Sequence, residues 1–168
     1  MLTRRRVDIE TDRGILLEFH CRANYESDTL WAKSMPFEQY REKWLSTSQP
    51  FSFLSALAES MKDGKTIAEI WEDKGQIIAC VWVTFTDIPD YNLTIAEVKD
   101  IVVAPGFQRR GIGLKVLEHV EQLVRENGAQ VLRSETGIDN VASQRLHEKS
   151  GFQTYRMLYE KVLDDEAL

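Results

Sequence analysis

Residues 104 to 115, Ala-Pro-Gly-Phe-Gln-Arg-Arg-Gly-Ile-Gly-Leu-Lys, carry Arg109, Arg110 and Lys115 and no acid, in a chain whose formal charge is −6. Three of the nine glycines, Gly106, Gly111 and Gly113, fall in the same window. Upstream, Ile95 to Val103 is rich in β-branched residues and reads as a strand. Downstream, Ile112, Val116, Leu117, Val120, Leu123 and Val124 recur at helical spacing until Asn127-Gly128 closes the run. A strand, a glycine-rich turn and a helix start in this order aim several backbone N–H groups at one point, and the helix dipole adds partial positive charge there. Missing side chains at Gly111 and Gly113 let a phosphate approach the backbone. The ligand these features imply is a diphosphate.

Other glycine loops fit less well. A Walker loop needs Gly-Lys followed by Ser or Thr at the helix start, and neither that lysine nor the hydroxyl is present. A dinucleotide fingerprint needs Gly or Ala three residues after Gly113, where Val116 stands, and a leading βαβ unit is missing. The bland alternative is a basic helix entrance that binds nothing.

The rest of the chain reads as elements of one domain spanning residues 1–168. A chain of this length buries roughly 70% of its unfolded surface, enough for a core without staples. Arg6 to Glu10 alternates charged and apolar residues, as a first strand does, and Asp12 is placed to cap a helix through Leu16, Leu17, Phe19 and His20. Pro36 opens a second helix carrying Phe37, Tyr40, Trp44 and Leu45, and a third runs from Phe51 to Met61. Thr66 to Glu72 and Gln76 to Phe85, joined by Asp73-Lys74-Gly75, form a β-hairpin. Val131 to Thr136 is a short strand, Asn140 caps a helix ending at Gly151, and Phe152 to Val162 is expected as the last strand. The order predicts an α/β fold with a mixed sheet. Residues 164–168 read as a solvated, frayed tail.

Composition excludes several classes of function. The longest apolar run, Ile77 to Val83, is seven residues, and a membrane helix needs about 20. Arg4 to Arg6 are followed by Val7-Asp8-Ile9-Glu10 rather than an apolar stretch, so no secretory signal is expected. Cys21 and Cys80 are read as reduced thiols of a cytoplasmic protein. The acidic balance argues against nucleic acid and a membrane as partners. His20 and His119 lie in helical segments without a second ligand at metal spacing, so no metal site is expected.

Ile101-Val102-Val103-Ala104-Pro105 followed by Gln108-Arg109-Arg110-Gly111-Ile112-Gly113 resembles the acyl-CoA signature of the GNAT acyltransferase superfamily. Residues 140 to 152, Asn-Val-Ala-Ser-Gln-Arg-Leu-His-Glu-Lys-Ser-Gly-Phe, are similar to that family's second landmark. Two landmarks in order are more specific than either alone, and the element order agrees from about residue 5 to residue 163. The resemblance implies a mostly antiparallel central sheet flanked by helices, with a splayed strand pair at the acyl-CoA site. It also implies an acetyl-CoA-dependent N-acetyltransferase in which an amine attacks the thioester directly.

Under that resemblance, the amides of Arg109, Arg110, Gly111, Ile112 and Gly113 hold the pyrophosphate, and Gln108 is a cofactor-binding residue of the same loop. Ile101 and Val103 pair with the pantetheine, an N–H at Val102 or Val103 polarises the thioester carbonyl, and Asn140 caps its helix and contacts the pantetheine. Glu97 stands where some relatives place a general base; the alternative is a strand-end charge in solvent. Strict alternation puts Asp100 on the opposite face from Glu97. His147 replaces the family's usual tyrosine, whose hydroxyl serves as acid toward the CoA sulfur; the alternative is a structural helix residue. Expected partners are a small-molecule or peptide amine and a second copy of the chain, with Glu97, Asp87 and Asp90 as neighbours of a cationic acceptor. The competing class is a non-catalytic acyl-CoA-binding or sensor domain.

Overall fold

The structure is a computed structural model that describes residues 2–27 and 30–163. Five strands, β1 (Leu2–Arg6), β2 (Ile67–Asp73), β3 (Gln76–Ile88), β4 (Leu93–Val103) and β5 (Val131–Arg133), form one sheet in sequential order. The first three pairings are antiparallel and β4 pairs with β5 in parallel. The helices are α1 (Arg13–Ser27), α2 (Phe37–Leu45), α3 (Gln49–Ser60), α4 (Ile112–Glu126) and α5 (Val141–Lys149). This is the mixed sheet that the element order predicts, mostly antiparallel with flanking helices as the resemblance implies.

Local chemistry accounts for the junctions. Lys74 and Gly75 both take positive φ, 51° and 77°, which matches the twist of the strands they join. The first strand lies earlier than expected, because Asp8 accepts the N–H groups of Glu10 and Thr11 at 3.0 Å and turns the chain. Asp12 precedes α1 as expected, but its carboxylate turns back to accept two 2.7 Å bonds from Arg5 and one from the Asp8 N–H. The Arg5 guanidinium holds that buried carboxyl below the usual carboxylate range.

Helices cover both faces. On one, Ile112, Val116, Leu117, Val120 and Val124 of α4 pack on Ile78, Val81, Val83, Ala96 and Val98. On the other, Leu16 and Phe19 of α1 and Phe53, Leu54 and Leu57 of α3 pack on Ile70, Cys80 and Val102. Each such side chain contributes about 1.5–3 kcal/mol by leaving water. A third cluster, Cys21, Ala32, Met35, Tyr40 and Trp44, ties α2 to α1.

Two departures in the sheet shape the site. Val98 faces Val83 and Asp100 faces Trp82, so Lys99 is an extra residue, a β-bulge in β4. Glu97, Asp100 and Val102 therefore lie opposite Thr84, Trp82 and Cys80, which share one face of β3. Glu97 and Asp100 point to the same side, toward α1 and α3, and the expectation of opposite faces is corrected by the bulge. Secondly, β5 keeps only three pairs with β4, Ile95 with Val131, Ala96 with Leu132 and Glu97 with Arg133, and then the strands part.

Phe152 to Val162 is not a strand. Its alternating composition satisfies a strand pattern, but a strand also needs an edge to pair with, and three-residue β5 offers little. Tyr155, Met157, Leu158 and Tyr159 are exposed along it. The tail expected at 164–168 lies outside the described residues.

Candidate active site

The loop after β4 makes a single 3-10 turn at Pro105–Phe107 and then alternates its backbone hand, with Arg109 at φ 60° and Gly111 at φ 76°. Alternation of this kind turns successive N–H groups toward one concavity. The first ladder bond of α4 runs from the Lys115 N–H to the Gly111 oxygen at 3.2 Å. The N–H groups of Ile112, Gly113 and Leu114 precede it and have no acceptor inside the helix. Gln108 donates from Nε2 to the Val103 oxygen at 3.2 Å, tying the loop to the end of β4. The Arg109, Arg110 and Lys115 side chains stand in solvent, with Arg110 over the Phe107 ring.

Gly111 and Gly113 serve different ends. A Cβ at Gly111 meets nothing, so its left-handed backbone is the reason for glycine. A Cβ at Gly113 would come within 3.0 Å of Leu146 Cδ2 and 3.8 Å of Val103 Cγ2. That glycine lets α5 close against α4 and β4.

Beyond Glu97 the edge of β4 facing β5 is open. The Ala104 N–H donates to Ile78 on β3 at 2.8 Å. By alternation the N–H groups of Val103 and Ile101 face the open edge and that of Val102 faces β3. Past β5, Thr136 has a buried Oγ1 with no partner among the described residues, an atom that in a folded protein calls for a ligand or water. An open strand edge running into an amide cradle fits an extended chain with peptide-like amides and a diphosphate, as in a CoA thioester.

α5 carries the other predicted residues. Asn140 Oδ1 accepts the Ser143 N–H at 3.1 Å and caps the helix as expected. His147 is half-buried and its ring meets Phe152 edge-on at 5.1 Å. Its Nδ1 lies 2.7 Å from the Ser143 carbonyl oxygen and its Nε2 2.7 Å from Ser134 Oγ. A carbonyl only accepts, so Nδ1 carries the hydrogen, and in the neutral ring Nε2 accepts from the Ser134 hydroxyl. Both nitrogens are engaged, and Ser134 follows Arg133, the last residue of β5 to pair with β4.

The opposite side of β4 gathers residues that lie far apart in sequence. Glu97 is ion-paired with Lys99 at 2.9 Å, both partly exposed. Asp100 is buried and accepts from His20 Nδ1 on α1 at 2.7 Å. The His20 ring stacks on Phe53 of α3, centroids 3.8 Å apart and planes within 8°, and lies 5.9 Å from the Trp44 ring of α2. Burial, and then the charge of Asp100, push the neighbouring Cys80 thiol well above its usual range. Both cysteines are free and buried. Asp87, by contrast, accepts from Thr94 at 2.7 Å, toward the start of β4. No group of three or more His, Cys, Asp and Glu side chains among the described residues could hold a metal ion.

The model of the Acetyltransferase (GNAT) family matches residues 24–152 of this chain. The chain belongs to that family. It is similar to an uncharacterized N-acetyltransferase of Bacillus subtilis, 24% identical over 119 residues, which is 70% of this chain and 78% of that protein. It is also similar to an uncharacterized N-acetyltransferase of Methanocaldococcus jannaschii, 21% identical over 142 residues, covering 84% of this chain and 57% of the relative's length. Among solved structures, a predicted acetyltransferase with acetyl-CoA from Clostridium acetobutylicum shares the fold, with a TM-score of 0.69, 17% identity and 97% of each chain covered.

The structure brings the predicted GNAT residues Ile101, Val103, Gln108, Arg109, Arg110, Gly111 and Ile112 to one open edge and loop. Two residues escaped the sequence reading. Ser134 carries no motif, and its only signal is a hydroxyl next to the parting strands. His20 reads only as a helical residue with no second ligand at metal spacing, and its partner Asp100 lies 80 residues away.

Proposed function

We propose that this chain is an acetyl-CoA-dependent N-acetyltransferase that moves an acetyl group to a primary amine by direct attack on the thioester. The observation that carries the reading is the open edge of β4 running into the amide cradle. In this reading the N–H groups of Arg109 to Gly113 hold the pyrophosphate, Ile101 and Val103 pair with the pantetheine, and Asn140 borders it. When bound, acetyl-CoA supplies an activated acetyl carbon and a thiol leaving group. The Val103 N–H stabilises charge on the acetyl oxygen, a contribution that needs no side chain. The backbone amides hold most of the diphosphate, so Arg109 and Arg110 are individually dispensable.

The carboxylates on the acceptor side define which substrates enter. Glu97 and Asp100, directed to the same face by the bulge, favour a cationic amine over a neutral or anionic one. His147 acts on the leaving sulfur through Ser134 rather than by direct contact, because both of its ring nitrogens are engaged: a proton on Nε2 is donated to Ser134 Oγ, which turns its own hydrogen toward the sulfur. A buried thiol held protonated is a poor acyl carrier, and Cys80 is such a group; this favours direct transfer over an acyl-enzyme. We place the protein in the cytoplasm on its two cysteines, which are free and buried.

The test is thiol release from acetyl-CoA across polyamines, aminoglycosides, amino acids and peptide N-termini. Release that depends on one amine class supports the reading. Tight CoA binding without release across the panel assigns the chain instead to the sensor class.

A further inference from the structure

We infer that His20, held by Asp100, is the group that receives the acceptor amine's proton. This assignment rests on the acetyltransfer reading and adds a residue to it. His20 Nδ1 donates to the buried Asp100 carboxylate at 2.7 Å, which settles the tautomer and leaves Nε2 as the basic nitrogen. Nε2 has no partner among the described residues and is not wholly buried. The ring is clamped by the Phe53 face and bordered by Trp44, so Nε2 is held in one orientation. A base oriented by a buried carboxylate is a recurring arrangement for proton abstraction, and imidazole is the side chain whose charge changes near neutral pH. Glu97 is the poorer base, since its carboxylate is already committed to Lys99.

The lysine bulge is what assembles the pair. Without the extra residue Asp100 would face α4 rather than α1, and His20 would have no partner. Other groups around His20 are settled. β3 contributes the Cys80 thiol, held protonated by burial, and α2 and α3 contribute the uncharged rings of Trp44 and Phe53. Charged neighbours on α1 and α2 are paired among themselves, with Glu18 accepting from both Arg22 and Arg41.

The step balances as follows. His20 Nε2 takes one proton from the incoming ammonium, which frees the nitrogen lone pair. The N–C bond forms at the acetyl carbon while the C–S bond breaks and its electron pair leaves on sulfur. The nitrogen's second proton ends on the thiol, and His20 returns its proton to water, so that an ammonium and a thioester give an amide, a thiol and one proton.

The experiment compares wild type, His20→Gln, Asp100→Asn and Glu97→Gln by acetyl-CoA thiol release over pH 5 to 9 with the primary amines of the panel, and by CoA calorimetry. His20→Gln should lower kcat about 100-fold, abolish the acidic limb of the kcat profile and leave CoA affinity within twofold. Asp100→Asn, a positioning change, should lower kcat by freeing the ring from the one orientation that the 2.7 Å bond holds. It should leave KM for the amine and CoA affinity within twofold, a split between kcat and KM that a merely structural role would not give. Glu97→Gln should retain the limb and raise KM for cationic amines. An active wild type whose His20→Gln variant keeps both rate and limb overturns this assignment alone. A wild type that binds CoA and releases no thiol with any amine overturns the acetyltransfer reading, and this assignment with it.

Discussion

His147 stands at a motif position, and in the proposed mechanism its ring reaches the sulfur by a different route from a tyrosine. Where a tyrosine hydroxyl would reach sulfur itself, the shorter imidazole is anchored to the Ser143 carbonyl and meets the Ser134 hydroxyl instead. His147→Phe should lower turnover at least tenfold with acyl-CoA affinity little changed, and Ser134→Ala should do much the same. The double variant should be no worse than the poorer single one, because both act through one hydrogen bond; additive losses in kcat would separate the two residues. A second residue-scale expectation concerns stability. The Arg5 guanidinium depresses the Asp12 carboxyl, so the pair contributes fully above the ordinary carboxylate range and is lost as pH falls through the lowered value. Asp12→Asn should cost about 1–3 kcal/mol at neutral pH, discounted because Arg5 is partly exposed. Melting scans should show the gap between wild type and variant closing below about pH 4.

At the scale of elements, the same glycine-rich turn does two jobs that the sequence does not separate. Gly111 is there for its backbone hand and Gly113 for the closeness of α5. Gly111→Ala should cost about 1–2 kcal/mol in stability through its positive φ and weaken CoA binding measurably, whereas Arg109→Ala or Arg110→Ala should weaken binding only severalfold. Loss of binding in the arginine variants with Gly111→Ala unaffected would transfer the cradle from backbone to side chains. The bulge in β4 is equally specific. Val98-Lys99-Asp100-Ile101 contains no Gly or Pro to mark an irregularity, so the sequence reads as an unbroken strand and misplaces Asp100.

For the whole molecule, what the sequence made legible is what local chemistry decides. The α4 stripe, the Lys74-Gly75 turn, the Asn140 cap and the cradle all announce themselves within a few residues, and each is found. What stayed hidden depends on partners distant in the chain. Phe152 to Val162 has strand composition but no edge to join, and His20 acquires a role only when β4 brings Asp100 beneath α1. The loop after β4 announces the proposed diphosphate site, while the proposed acceptor side, assembled from α1, α2, α3 and β4, does not appear in any single motif. In the proposed function its two carboxylates and aromatic walls, set against the cationic loop across the same strand, face the acceptor while the loop faces the donor.

The central claim is that both substrates meet across β4 and that acetyl passes between them without resting on the protein. Initial-rate thiol release with both acetyl-CoA and amine varied tests it most directly, repeated on Cys80→Ala. The account predicts intersecting double-reciprocal lines, the mark of a ternary complex, with Cys80→Ala within twofold of wild type. Parallel lines, or an acetylated Cys80 and a dead Cys80→Ala variant, would contradict it.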